Sequence, residues 1–297
     1  MQLTQPIGIF DSGIGGLSVL NALRSELPHE DFTYISDSGH SPYGERDDAH
    51  VTERSLTITA YLAKQNVKAL VVACNTATAA AIDVLRARYP ALPIIGVEPA
   101  LKPAVAISKT RHIAVMATRS TLASARFAAL LAAHACEARF TLLPCDGLAE
   151  AIEQSTQEPD ATELIAACAR IICARGSFNA KLDGSSEVDT IVLGCTHYPF
   201  AAQHIATLVG RNVQLLDTGE AVARQTRRLL IGPLPGAVES GPCASTGAQA
   251  RVEVHGKRPQ PEIAGSINFF STGNPAALRS AAQAWLGLVA DVKILHF

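Results

Sequence analysis

The sequence predicts an α/β protein of two pseudo-symmetric doubly wound parallel-sheet domains with one site between them. Three observations carry this. Short apolar segments alternate with longer helical patterns along nearly the whole chain, as in successive βαβ units. Two of these segments end alike: Ala69-Leu70-Val71-Val72-Ala73 runs into Cys74-Asn75-Thr76, and Thr190-Ile191-Val192-Leu193-Gly194 runs into Cys195-Thr196-His197. Each half also opens alike. Ile7-Gly8-Ile9-Phe10 precedes Asp11-Ser12-Gly13-Ile14-Gly15-Gly16, and Ile113-Ala114-Val115-Met116-Ala117 precedes Thr118-Arg119-Ser120-Thr121. Strands buried on both faces read as continuous apolar runs. Open α/β sheets bind ligands beyond the carboxyl ends of their strands. The two thiols are therefore expected to face one crevice.

Taken in order, residues 7–10 form a strand and a helix runs to about Leu27. The Gly-rich turn between them does not have the Gly-x-Gly-x-x-Gly spacing of a dinucleotide site, and no Lys marks a phosphate loop. An Asp at the strand end would repel a pyrophosphate. Free N–H groups at a helix start suit a small zwitterion better. Residues 32–37 form a strand ending in the carboxylate Asp37, and the Pro42-Tyr43-Gly44 loop is either a plain turn or a cover over the site. Residues 47–64 are helical, the strand to Cys74 follows, and a helix extends to Tyr89. Residues 93–97 form a strand and 101–109 a short helix. The second unit has its strand at 113–117, a helix at 122–133, a strand at 140–143 and helices from Gly147 and over 161–175. A polar loop at 176–187 leads to the strand before Cys195, with a helix from about Phe200. Then come a strand at 213–217, an amphipathic helix at 219–230, and a Pro/Gly/Ser-rich stretch at 231–265 with a strand expected at 251–255. A strand at 267–271 and a helix at 275–288 close the chain. The domains are expected to be 1–98 plus 213–297, the tail returning, and 99–212, with hinges near 98–103 and 211–213.

The 297 residues suffice for two domains. No apolar run reaches the roughly 18 residues of a membrane span, and the amino terminus lacks the basic and apolar regions of a signal peptide, so a cytoplasmic protein is expected. A net charge of −2 does not point to nucleic acid. Seven Cys without a Cys-x-x-Cys pair suggest neither zinc nor a disulfide framework. Cys136, Cys145, Cys168 and Cys173 read as packing residues, and Cys243 as incidental in its loop.

A thiol at the carboxyl end of a strand and the amino end of a helix is expected to have a lowered pKa. Two such thiols can act as general bases on opposite sides of a bound substrate. Asp11, at a strand end, and His197, two residues after Cys195, are the polar groups placed to help them. A Cys/His hydrolase leaves Cys74 unexplained. A redox dithiol is usually one short motif, and an amino-acid-binding module needs no thiols.

These residues resemble the glutamate racemases of the aspartate/glutamate racemase superfamily. The resemblance spans nearly the whole chain, through the segment from Ile7 to Leu17, Ser41-Pro42-Tyr43-Gly44, Ala73-Cys74-Asn75-Thr76-Ala77, Gly96-Val97-Glu98-Pro99-Ala100, Gly194-Cys195-Thr196-His197-Tyr198-Pro199, Asp217-Thr218-Gly219 and Phe270-Ser271-Thr272-Gly273. It implies a cofactor-independent, metal-free interconversion of L- and D-glutamate by two bases, supplying D-glutamate for peptidoglycan. Cys74 would take the α-proton of D-glutamate with help from Asp11, and Cys195 that of L-glutamate with help from His197. Ser12, Tyr43, Gly44, Asn75, Thr76, Thr118 and Thr196, together with Asp11 and His197, would hold the substrate. Aspartate racemases share this plan. Aligned on its last Glu, Leu143-Pro144-Cys145-Asp146-Gly147-Leu148-Ala149-Glu150-Ala151-Ile152-Glu153 places Glu153 at the family's helper position with Glu150 close by, and Asp37 stands in the family's Asp-Thr position with Ser38 for Thr. The expected partner is glutamate, with no nucleic acid and no membrane, and a homodimer is left open.

Overall fold

The computed structural model describes residues 4–156, 161–175, 188–231 and 265–297. In chain order the first unit is β1 (Ile7–Asp11), α1 (Leu17–Glu26), β2 (Phe32–Ser36), α2 (Asp48–Lys64), β3 (Ala69–Val72), α3 (Asn75–Arg88) and β4 (Ile94–Gly96). The second is α4 (Leu101–Ile107), β5 (His112–Ala117), α5 (Arg119–Ala123), α6 (Ala125–His134), β6 (Arg139–Pro144), α7 (Leu148–Ser155), α8 (Ala161–Arg175), β7 (Thr190–Leu193), α9 (Ala202–Val209) and β8 (Gln214–Leu216). The tail adds α10 (Gly219–Ile231), β9 (Ile267–Ser271), α11 (Pro275–Leu286) and β10 (Val292–Ile294).

Every residue of β1, β2, β3, β5 and β7 is buried. Strands of four to six residues hold because burying each large aliphatic side chain is worth about 1.5–3 kcal/mol. They assemble into two all-parallel sheets, in the orders β10-β9-β2-β1-β3-β4 and β6-β5-β7-β8. Each sheet is covered on both faces. In the first, α1, α10 and α11 pack on one side (Leu20, Leu23, Val222, Leu278), and α2 and α3 on the other (Ile58, Leu62, Ala81). In the second, α7, α8 and α9 face α4 and α6 across the sheet. The expected fold class is thus observed.

The two sheets repeat one topology. In the first the chain moves from β1 to β2 on one side, then to β3 on the other; in the second it moves from β5 to β6, then to β7. Each reversal of strand order opens a crevice at the carboxyl ends of the flanking strands. β1 and β3 lead to Asp11 and Cys74 at one crevice, and β5 and β7 lead to Thr118 and Cys195 at the other.

Four expectations need correction. β8 pairs with β7 (Thr190 with Gln214, Ile191 with Leu215), so the chain leaves the second sheet after Leu216 rather than at residue 213, and α10 makes the return by packing on α1. The helix expected at 122–133 is two. Thr118 caps α5 by accepting the Thr121 N–H, and Ser124 caps α6 by accepting the Phe127 N–H, so two successive caps split one apolar pattern. β10 adds a strand beyond the expected elements, because its Val-Lys-Ile alternation is shorter than the run of about four to eight residues that marks a strand. Cys136 is exposed rather than packed. Cys243 and the strand expected at 251–255 lie outside the described residues.

Candidate functional site

β3 is a run of aliphatic residues that stops at Ala73, and Cys74 caps α3, its sulfur accepting the Ala77 N–H at 3.4 Å. The thiol lies 3.8 Å from the Ser12 hydroxyl, to which it donates. It is 5% exposed. The helix end does not lower its pKa as expected. Burial, then the negative charge of Asp11, and the charge of Cys195 push it far above its ordinary value, against the opposing Ala77 N–H and Ser12 hydroxyl. Cys74 is therefore a thiol at neutral pH.

Cys195 follows β7, and a 3-10 turn begins three residues later at Tyr198. Its sulfur lies 3.6 Å from His197 Nδ1, and His197 Nε2 lies 2.8 Å from Glu153 Oε1. The same carboxylate oxygen accepts the Ile14 N–H at 2.8 Å. Burial by itself would lower the pKa of His197. The sulfur of Cys195 and the carboxylate of Glu153 outweigh it and hold the imidazole well above its ordinary value. An imidazolium thus faces the sulfur, and positive charge there is what a thiolate base needs. α7 buries Leu148, Ala151 and Ile152, which turns Glu153 toward the Gly-rich turn, while Glu150 is exposed and pairs with Gln154. Of the two carboxylates, Glu153 is the one that reaches the imidazole.

This explains the glycines. A Cβ on Gly13 would stand 1.8 Å from Glu153 Oε1, and one on Gly15 would stand 2.3 Å from His197 Nδ1. The turn lets the backbone of one domain lie against the His/Glu pair of the other. Its N–H groups are less free than the sequence reading supposed: Gly16 N–H goes to Asp11 Oδ2 at 2.5 Å and Ile14 N–H to Glu153. Beneath the turn the Tyr34 hydroxyl donates to the Gly13 carbonyl at 3.1 Å. Nothing in the sequence distinguished Tyr34 from an ordinary core residue.

Asp11 is fully buried, and burial raises its pKa, with the positive charge of His197 and the Gly16 N–H opposing. Among the described residues its Oδ1 has no hydrogen-bond partner, and neither has Asn75 Oδ1, while Asn75 Nδ2 donates to the Val97 carbonyl at 3.4 Å. The hydroxyls of Thr76 and Thr118 lie 3.3 Å apart, one from each domain, and a Cβ on Gly44 would meet Thr118 at 3.3 Å. Thr196 is buried between Cys195 and His197. Contacts thus link Cys74 to Ser12, Thr76 to Thr118, Gly44 to Thr118 and Cys195 to His197, with the Gly13 to Gly16 turn seated against His197 and Glu153.

Asp37 and Tyr43 are committed elsewhere. Asp37 is fully buried and accepts from Arg54 Nη2 at 2.9 Å, Arg54 Nε at 3.0 Å, the Tyr43 hydroxyl at 2.6 Å and the Thr272 hydroxyl at 2.7 Å. Its carboxylate pins the 38–46 loop and β9 to α2, with the Tyr43 ring buried beside Cys74. Breaking a buried pair by removing one partner costs about 3–5 kcal/mol. Asp37→Ala is accordingly expected to lower stability by about that amount in chemical denaturation. A loss under about 1 kcal/mol, the usual range of exposed pairs, would show the network to be dispensable.

The pattern of the family described as Asp/Glu/Hydantoin racemase matches residues 17–226. A glutamate racemase of Ectopseudomonas mendocina is 49% identical over 230 residues, 77% of this chain and 83% of that protein. Among solved structures, a glutamate racemase isoform of Bacillus anthracis superposes with a TM-score of 0.79 at 26% identity, covering 100% of this chain and 99% of that one. The Escherichia coli glutamate racemase in complex with L-glutamate and an activator gives a TM-score of 0.75 at 28% identity, over 98% of both chains.

Proposed function

Since the chain belongs to the Asp/Glu/Hydantoin racemase family, we propose that it interconverts L- and D-glutamate by a two-thiol 1,1-proton transfer between its domains. What supports this reading is the pair of buried sulfurs at the ends of two matching strands, whose surroundings touch through Thr76 with Thr118 and through the Gly-rich turn with His197 and Glu153. Cys74 carries its proton, and Cys195 faces an imidazolium. From L-glutamate, Cys195 acts as the base and takes the α-proton, negative charge develops at Cα and spreads into the α-carboxylate, and the Cys74 thiol protonates the opposite face. D-glutamate leaves a protein with the two protonation states exchanged, which is the state that accepts D-glutamate. The hydroxyls of Ser12, Thr76 and Thr118 are placed to donate to carboxylate oxygens as that charge grows. Asn75 Oδ1 and Asp11 Oδ1 are the buried acceptors available to the ammonium. Among the described residues no helix is long and apolar enough to cross a membrane, and we place the protein in the cytoplasm, where it would supply D-glutamate for peptidoglycan.

The test is circular dichroism of the purified protein with L-glutamate and no added cofactor. The signal is expected to decay to zero, with L-aspartate turned over far more slowly. In deuterated water the product is expected to carry deuterium at Cα from the first turnover, while unreacted substrate initially carries little. A signal that stays constant with glutamate and decays with aspartate would reassign the substrate.

A further inference from the structure

The 3-10 turn after Cys195 has a gap in its hydrogen bonds. Tyr198 N–H reaches the Cys195 carbonyl at 3.1 Å and Phe200 N–H the His197 carbonyl at 3.0 Å, the i to i+3 pattern of such a turn. The Thr196 carbonyl between them would take the N–H of residue 199, which is Pro199 and has none. A buried carbonyl without a donor is costly. The donor comes from the other domain. Ser18, in the first turn of α1, lies with its hydroxyl 2.8 Å from the Thr196 carbonyl. The hydroxyl is also 2.9 Å from the Gly15 carbonyl, but that oxygen already accepts the Ser18 N–H at 3.0 Å, which leaves Thr196 as the acceptor with the greater need.

We propose that Ser18 is a positioning residue for the second base: its hydroxyl holds the Cys195-Thr196-His197 turn against the first domain and so sets the sulfur and imidazole at the angle for proton transfer. The assignment rests on the two-thiol reading above. Thr196 has Cys195 on one side and His197 on the other, so its carbonyl is the point where one bond orients both. The same turn is seated from beneath by Gly15, against which the His197 ring lies. Because the bond joins the two domains, it also ties the presentation of Cys195 to the seating of one domain on the other, whereas Cys74 is held within its own domain by Ser12 and α3.

The experiment compares Ser18→Ala with Ser18→Thr, which keeps the hydroxyl, in both directions. Ser18→Ala is expected to lower kcat about tenfold, with Ser18→Thr restoring most of it. The α-deuterium isotope effect tells positioning from simple loss of folded protein. From L-glutamate, Cys195 abstracts the proton, so slowing that face keeps the isotope effect on kcat full. From D-glutamate, Cys195 delivers the proton, so delivery becomes limiting and the effect shrinks toward unity. Loss of folded protein would lower both kcat values equally and leave both isotope effects unchanged. Should Ser18→Ala fail to fold, Ser18→Val against Ser18→Thr makes the same comparison at matched volume. Unchanged kcat in Ser18→Ala, or isotope effects that change equally in both directions, overturns the proposal while leaving the two-thiol reading intact. Wild-type protein that does not racemise glutamate overturns both.

Discussion

Cys74→Ala and Cys195→Ala each lose racemisation in both directions, by at least the roughly 10²–10⁴-fold that a positioned acid/base group contributes. One turnover uses both sulfurs, one to take the α-proton and one to return a proton to the other face, so neither direction survives with a single thiol. The variants are expected to differ in what they retain. Cys74→Ala keeps the Cys195 face, and any residual exchange of the α-proton with deuterated water falls on L-glutamate. Cys195→Ala keeps the Cys74 face, and residual exchange falls on D-glutamate. Both residues are small members of core clusters, 5% and 8% exposed, so each variant is expected to fold with a modest loss of stability, checked by thermal unfolding. Nuclear magnetic resonance of the α-proton on each enantiomer gives the result directly. A single variant that racemises at near wild-type rate would show that its thiol is not a base. Exchange on the wrong enantiomer would reverse the assignment of faces.

Glu153→Gln is expected to be the next most damaging change. Glu153, on α7 of the same domain, lies 2.8 Å from His197 Nε2, and its charge together with that of Cys195 keeps the buried imidazole protonated. Removing a charge partner of this kind shifts a pKa by about 1–3 units, here downward, because the protonated form loses its support while burial continues to oppose it. The basic limb of the pH profile for kcat from L-glutamate therefore moves to lower pH by about one unit or more, and kcat at neutral pH falls by about 10²-fold, the lower end of the acid/base range. Stability follows the same sign. The folded pKa of His197 lies above its ordinary 6.5, so the stabilisation from its pairing is complete below pH 6.5 and is lost as pH rises through the folded value. In Glu153→Gln that loss sets in at lower pH. The two enantiomers are equal in energy, so kcat/KM must stay equal in the two directions, and any asymmetry in kcat is offset in KM. A pH profile with its basic limb unmoved would show that Glu153 orients the imidazole without tuning its charge.

What the sequence determined by itself was local. Aliphatic runs at Ile7, Ala69, Ile113 and Thr190 read as buried strands because burial on both faces leaves no polar alternation, and the residues that end them, Asp11, Cys74, Thr118 and Cys195, were named from that position. The matched ends of the β3 and β7 segments also carried the two-base reading. Tertiary structure decided whatever depends on residues distant in the chain. Glu153 meets His197 across 44 positions and Ile14 across 139, and Ser18 meets Thr196 across 178. No pattern period links such pairs. The glycines at 13 and 15 were visible as a turn, but their reason is a carboxylate and an imidazole from the other domain occupying the space a Cβ would need. The Pro42-Tyr43-Gly44 loop was legible either as a plain turn or as a cover, and only the tertiary structure sends the Tyr43 hydroxyl to Asp37, because α2 places Arg54 beside that carboxylate and gathers its neighbours into one buried network. β8 followed the second sheet because the register of Thr190 with Gln214 outweighed any boundary legible in the chain. The sign of the Cys74 shift was decided in the same way: a helix end favours the thiolate locally, but enclosure between two domains beside a buried carboxylate removes the water that would stabilise it, and desolvation wins.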